Sequence, residues 1–309
     1  MINRALIRLK VVQLVYAYYQ NEGKTTEVAL KELDFSLQKA YDLYRSLLLL
    51  LVELRRLAER KENARIAKNK RLGGAGTASS DKVFAENKFL LQLEANTALG
   101  EFAEKQKKSW AEEDVFLKKI YDAFFNEELF HHYIDKGEYN YESDREIIRK
   151  LYKTFIVNNP DFDALLEEQS LYWNDDKEIV DSFVLKTIKR FDEANGADQE
   201  LLPAYAADED QEFAGRLFTN TLERAAEVRR LISDNTKNWE FSRLAFMDVI
   251  IMQIALAEIL TFKSIPLSVS FNEYLDIAKI YSTPRSSGYI HGMLDNIVKK
   301  LKADGVILK

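Results

Sequence analysis

The chain has 309 residues, no cysteine and a formal net charge of -6. This length allows one large or two ordinary domains with a sizeable core. The absence of cysteine excludes a disulfide framework and thiolate chemistry and fits a reducing cytoplasm, and the acidic balance argues against a large, sequence-blind nucleic-acid binder.

No N-terminal signal pattern is visible, and the most apolar run, residues 47–52, is too short to span a bilayer. With only 4 Pro and 11 Gly, helices can run almost everywhere, and the chain reads as all-α. Its charge is uneven. Residues 1–72 hold 15 Lys and Arg against 8 Asp and Glu, while the rest holds 29 against 42. A basic first quarter on an acidic body points to a local anionic partner.

In chain order, the first predicted helix covers about residues 3–20. It carries Arg4, Arg8 and Lys10 among Leu6, Leu9, Val12, Leu14 and Val15. Arg4 and Arg8 lie one turn apart and share a face, and Lys10 is about 200° round from Arg8. Three such cations read either as solvated surface or as phosphate contacts.

Residues 21–24 read as a turn, and 25–70 as two helices. The second is long, with Leu43, Leu47, Leu50, Leu51, Leu54 and Leu57 as its buried stripe. Its end, residues 55–71, has 8 Lys and Arg against Glu59 and Glu62, with no aromatic side chain for base stacking. A solvated helix end and an accessory phosphate-binding arm are both open there. The Gly- and Ser-rich segment 72–80 reads as a flexible loop.

Helices resume at about 82–107 and 109–130. His131 and His132 are adjacent and point apart on a helix, so with three His and no Cys no metal site is expected. Residues 139–143 mark a break. An internal repeat then shows: Asp144, Glu146, Leu151, Leu165 and Trp173 recur as Asp210, Glu212, Leu217, Leu231 and Trp239 at a constant offset of about 66. The expectation is a duplicated helical unit, with copies at 144–190 and 210–256. The acidic stretch 206–210 between them reads as linker and helix start.

Three more helices are predicted after residue 238. The first, from about 241 to 260, is densely apolar and therefore buried. The second starts near Ser268 or Ser270, where Ser270 and Glu273 have capping-box spacing after Pro266. The third lines up Ile290, Met293, Leu294, Ile297, Val298 and Leu301. His291, Asp295, Lys299 and Lys302 fall on its other side, and Gly292 leaves room for a close neighbour.

This last stretch resembles the C-terminal half of the NusB family of transcription antitermination factors. The residues that carry the resemblance are Asp248, Ala255, Glu258, Pro266, Val269, Asn272, Glu273, Ala278, Lys279, Tyr289, Gly292, Leu294 and Asp295. Val12-Gln13-Leu14-Val15-Tyr16, behind Arg4 and Arg8, is similar to the family's first helix. The chain departs from the pattern at Gln253, Gly288 and His291, and at Ala5 and Leu6, where other members have further arginines.

The resemblance covers residues 3–22 and about 207–302. It implies a NusB-like helical bundle made of 1–22 and 207–309, with 23–206 as an inserted helical region. It also implies a non-enzymatic, cofactor-free cytoplasmic protein that binds boxA-like single-stranded RNA of ribosomal-RNA leaders. Its partners would be a small-subunit ribosomal protein (NusE), other Nus factors and RNA polymerase.

On this resemblance Arg4, Arg8, Lys10, Arg285 and Tyr289 are the RNA-contact candidates, and Asn272, Glu273 and Lys279 the ribosomal-protein contacts. Tyr289 reads as a stacking face or as a core aromatic. No Gly-rich phosphate loop, nucleophile setting or metal-ligand cluster is visible. The second reading is a helical interaction scaffold that keeps the fold with weak or no RNA binding.

Overall fold

The computed structural model describes residues 1–21, 23–71, 79–173, 175–236 and 244–308. The expected loop at 72–80 lies mostly outside them, as do Trp239 and the first residues of the helix expected from 241. The described residues are helical apart from turns, loops and one isolated β-bridge between Ile2 and Tyr205.

The helices are α1 (Arg4–Gln20), α2 (Thr26–Arg71), α3 (Ser80–Ala85), α4 (Lys88–Ala95), α5 (Thr97–Glu104), α6 (Asp114–Phe125), α7 (Glu128–Lys136) and α8 (Tyr141–Phe155). They continue with α9 (Pro160–Gln169), α10 (Lys177–Arg190), α11 (Asp208–Glu223), α12 (Ala225–Asn235), α13 (Phe246–Thr261), α14 (Leu267–Tyr281) and α15 (Ser286–Ala303). Short 3-10 turns sit at Trp110–Glu112 and Glu193–Asp198.

Asparagine starts many of these helices. Asn3, Asn87, Asn96, Asn140 and Asn159 each accept a backbone N–H of the first turn through the side-chain oxygen. That satisfies a donor the helix itself leaves unpaired. Asn87 and Asn96 also split the single helix expected at 82–107 into α3, α4 and α5. Conversely, the two helices expected at 25–70 are one helix of 46 residues, because no Pro or Gly interrupts it.

The chain divides into two compact units. Unit 1 is Met1 with Lys39–Pro203, and unit 2 is Ile2–Gln38 with Ala204–Lys309. In unit 1, α8 packs on α4, α6, α7 and α10. Its amphipathic spacing buries Ile147, Ile148, Leu151 and Tyr152. In unit 2, α13 is the centre and packs on α1, α11, α12, α14 and α15. A helix covered on all sides is mostly apolar all round, and Val249 to Ile259 is buried without a break, Gln253 and Glu258 being its polar members. The stripe expected on the last helix is the buried face of α15, from Ile290 to Leu301.

Both expected repeat segments contain a run of three helices, α8–α9–α10 and α11–α12–α13. The paired aspartates do different work. Asp144 accepts hydrogen bonds from the Tyr133 hydroxyl and the Lys88 amide, whereas Asp210 accepts from Arg4. Gly292 is exposed, and nothing lies within 4 Å of where a Cβ would sit, so it does not serve a close helix contact. Among the described residues no helix is long and apolar enough to cross a membrane, and no group of three or more His, Cys, Asp or Glu could hold a metal ion.

Candidate nucleic-acid interface

The first polar centre of unit 2 is buried. Arg8 on α1 meets Glu258 on α13 in a two-point ion pair, Nε to Oε2 at 2.8 Å and Nη2 to Oε1 at 3.0 Å. Arg8 is 2% exposed and Glu258 0%. From α14, the Ser270 hydroxyl donates to Glu258 Oε1 at 2.7 Å and the Tyr274 hydroxyl to Oε2 at 2.8 Å. Four donors thus fill the carboxylate's acceptor capacity. Glu273 adds a longer contact to Arg8, 3.5 Å.

Burial works against the Arg8 charge. The hydrogen bond and field of Glu258, then the fields of Tyr274 and Glu273, outweigh it and hold the guanidinium above its usual pKa. Burial and the Glu258 carboxylate push the Tyr274 phenol well above its usual range.

This centre corrects three expectations. Arg8 is not available to a phosphate, because its donors serve Glu258. Lys10 is also buried, at 1% exposure, and is no surface cation. The Ser270–Glu273 capping box does not form. Pro266 starts α14 without a side-chain cap, while Ser270 turns to Glu258 and Glu273 to Arg8.

Arg4 shares the Arg8 face, as its spacing requires. Both guanidiniums lie over the Phe213 ring, at 5.0 and 5.4 Å. Arg4 is half-exposed and bonds Asp210 at 3.0 Å.

The exposed functional candidates gather at the other end of α1. Gln13 donates to the Tyr281 hydroxyl at 2.6 Å, tying α1 to the end of α14. The following loop is pinned by Asp248 at the start of α13, which accepts from the hydroxyls of Ser282 and Ser286. Thr283 joins this cluster through Ser286 at 2.8 Å.

Arg285, just ahead of α15, is exposed. Tyr289, one turn on, is 37% exposed, and burial and then Asp248 raise its phenol pKa. Tyr16 and Phe246 pack 5.7 Å apart and are 38% and 39% exposed. Asp248 sits within the first turn of the helix that Phe246 opens. Arg285 and Tyr289 thus follow a loop pinned to the first turn of α13, the helix whose first residue packs on Tyr16, and a cation with half-open rings is what a single-strand platform uses.

Arg4 is not part of this surface. Gln13 lies nine positions further along α1, about 14 Å along the axis. The sequence reading missed Tyr16 and Phe246. Phe246 was available as the aromatic opening an otherwise aliphatic helix, and Tyr16 as a ring on a helix already dense in buried residues.

The expected partner residues on α14 divide. Asn272 and Lys279 are exposed, and Lys279 pairs with Asp276 at 2.7 Å. Glu273 points at Arg8. Val269 and Ile280 are exposed apolar side chains of the same helix.

A helical bundle built round an apolar central helix, with a polar centre supplied by its first helix, is the class that unit 2 defines. The NusB family model matches residues 182–299. The transcription antitermination protein NusB of Salinibacter ruber is 35% identical over 132 residues, which cover 41% of this chain and 82% of that protein. The proteins of the same name from Chloroherpeton thalassium and Finegoldia magna are 34% and 36% identical, over 47% and 66% of their lengths. The chain belongs to the NusB family. A solved structure of NusB from T. maritima is 27% identical, covering 45% of this chain and 85% of that one, with a TM-score of 0.29.

Proposed function

We propose that this chain is a non-enzymatic, RNA-binding transcription antitermination factor of ribosomal-RNA operons. It binds boxA-like single-stranded RNA together with the small-subunit ribosomal protein NusE, and joins other Nus factors on RNA polymerase. The observation that carries this reading is the family membership, through relatives named as antitermination proteins.

Within that reading, Arg285 supplies a phosphate contact and Tyr289, Tyr16 and Phe246 supply stacking faces. Arg4 is a peripheral contact whose guanidinium is shared with Asp210. The exposed face of α14, with Asn272, Lys279, Val269 and Ile280, is the ribosomal-protein side. The 1–22 and 207–309 segments form the NusB-like core and 23–206 the insertion. The gathering of Ile2–Gln38 and Ala204–Lys309 in one compact unit supports joining the two ends in one core, and it carries that core on through residue 38.

A second reading, a helical interaction scaffold without RNA affinity, draws on one observation. Two of the three cations of the first helix are buried. Titration of a boxA-like RNA with and without NusE, over a salt series, separates the two. The antitermination reading expects binding that tightens with NusE and weakens with salt. No binding even with NusE present leaves the scaffold.

A further inference from the structure

Unit 1 holds a cleft of about 810 Å³ among α2, the end of α5, the segment 105–113 and the turn after α9. Its walls include Phe102, Trp110 and Trp173. Both indole N–H groups are used internally, by Ser46 O at 2.7 Å and Lys39 O at 2.8 Å, so the rings offer the cleft only apolar surface. At its mouth the turn after α9 holds out Leu171, 86% exposed, beside Tyr172.

Cations outnumber carboxylates in the cleft by five to four, and three of the cations stand together on one rim. Lys105, Lys107 and Lys108 line the cleft on the irregular segment after α5, and all three are exposed. Of the four carboxylates of the cleft, two are paired with cations and two bond neutral donors. Asp42 pairs with Lys39 and Arg45, and Glu53 with Arg56. Glu112 accepts the Ser109 amide, and Glu113 accepts from the Gln169 side chain. Among the described residues no carboxylate forms an ion pair with the three lysines.

We propose that this cleft docks an acidic peptide segment of a partner protein, with an aliphatic or aromatic anchor flanked by Asp and Glu. The anchor packs against Leu171, Tyr172 and the apolar wall, and the flanking carboxylates meet Lys105, Lys107 and Lys108. The most exposed side chain at the mouth, Leu171, favours a peptide, although Tyr172 beside it is open enough to meet a base. Leu171 offers no plane on which a base can stack, but it gains fully from burial against an apolar side chain. Lysines on the rim suit partner steering and orientation. The cleft is lined by residues of unit 1 alone, and the proposal does not depend on the RNA reading.

The test uses the full chain and a fluorescein-labelled synthetic peptide with a Leu-Phe-Leu core between Glu and Asp residues, followed by anisotropy. The comparison probes are the same peptide with an alanine core and a labelled oligouridine. Saturable binding of the first peptide is expected. It should weaken about tenfold or more with the alanine core, in Leu171→Glu, and in the combined Lys105→Glu, Lys107→Glu and Lys108→Glu variant. All of these are exposed positions, and circular dichroism checks that the fold is unchanged. Arg285→Ala should leave peptide binding intact. Absence of saturable peptide binding, binding indifferent to these substitutions, or capture of the oligouridine by these lysines in place of the peptide would each overturn the proposal.

Discussion

Arg8 and Glu258, 250 positions apart in the chain, close on each other inside unit 2 through two hydrogen bonds of 2.8 and 3.0 Å. The pair joins the first helix to the central one, and Ser270 and Tyr274 bring in α14. Removing one partner leaves a charge buried without compensation. Arg8→Ala should therefore destabilise unit 2 by about 3–5 kcal/mol, read from urea unfolding. Arg8→Lys should recover only part of this, because an ammonium cannot make the planar two-point contact. A loss under about 1 kcal/mol, the range of an exposed pair, would show that the pair is open to water.

Asn96 has two roles in unit 1. Its side-chain oxygen accepts the Leu99 amide at 3.0 Å, and its amide donates to the carbonyls of Gln199 at 2.7 Å and Ala197 at 3.3 Å. Asn96→Ala removes a helix cap and leaves a buried carbonyl without its donor, so a cost of about 2–3 kcal/mol is expected. Asn96→Asp keeps the cap oxygen and loses the donors, and should fall between alanine and the native chain in thermal unfolding.

Gly292 lies inside α15, exposed, with no atom near a prospective Cβ. Nothing in the packing uses its missing side chain. Gly292→Ala should raise stability by about 0.5–1 kcal/mol through helix propensity and reduced unfolded-state entropy. A destabilised variant would mean that this face of α15 is covered when the protein is folded in solution.

The buried tyrosines set an alkaline limit. The Tyr44 phenol is pushed up to about 12 by burial, while its bonds to Thr187 and the Leu202 amide pull the other way. Tyr152 and Tyr274 lie well above their usual value, for burial and a nearby carboxylate. A folded-state pKa above the unfolded 10.0 means that the native state holds its proton longer. Stability from these groups is complete below pH 10 and falls as pH rises through the folded values. Phenolate absorbance should show these buried tyrosines titrating only together with unfolding.

The helices that bury a stripe were legible because a 3.6-residue period survives any detail of packing. The stripe from Ile290 to Leu301 and the densely apolar run of α13 are read directly from residue order. Arg8 was not legible. An arginine on a short amphipathic segment looks solvated, and the carboxylate that buries it lies 250 residues on. Ser270 and Glu273 have the spacing of a cap, but Glu258 and Arg8 outcompete the helix end for them. The breaks at Asn87 and Asn96 were hidden for a simpler reason, since asparagine is a weak helix breaker until its side chain finds the next turn's amide. The loop candidates Arg285 and Tyr289 came from the family resemblance, whereas Tyr16 and Phe246 join them only once α1 and α13 pack.

The most direct test of the proposed RNA surface is the affinity of the chain, with NusE added, for a boxA-like RNA, measured over a salt series for Arg285→Ala and Tyr289→Ala. The account predicts that Tyr289→Ala costs about 1–3 kcal/mol of binding, as the loss of one stacked base would. It predicts that Arg285→Ala lowers the salt slope by about 0.7, the contribution of one single-strand phosphate contact. Native affinity and an unchanged salt slope in both variants would contradict the placement of the RNA on this loop.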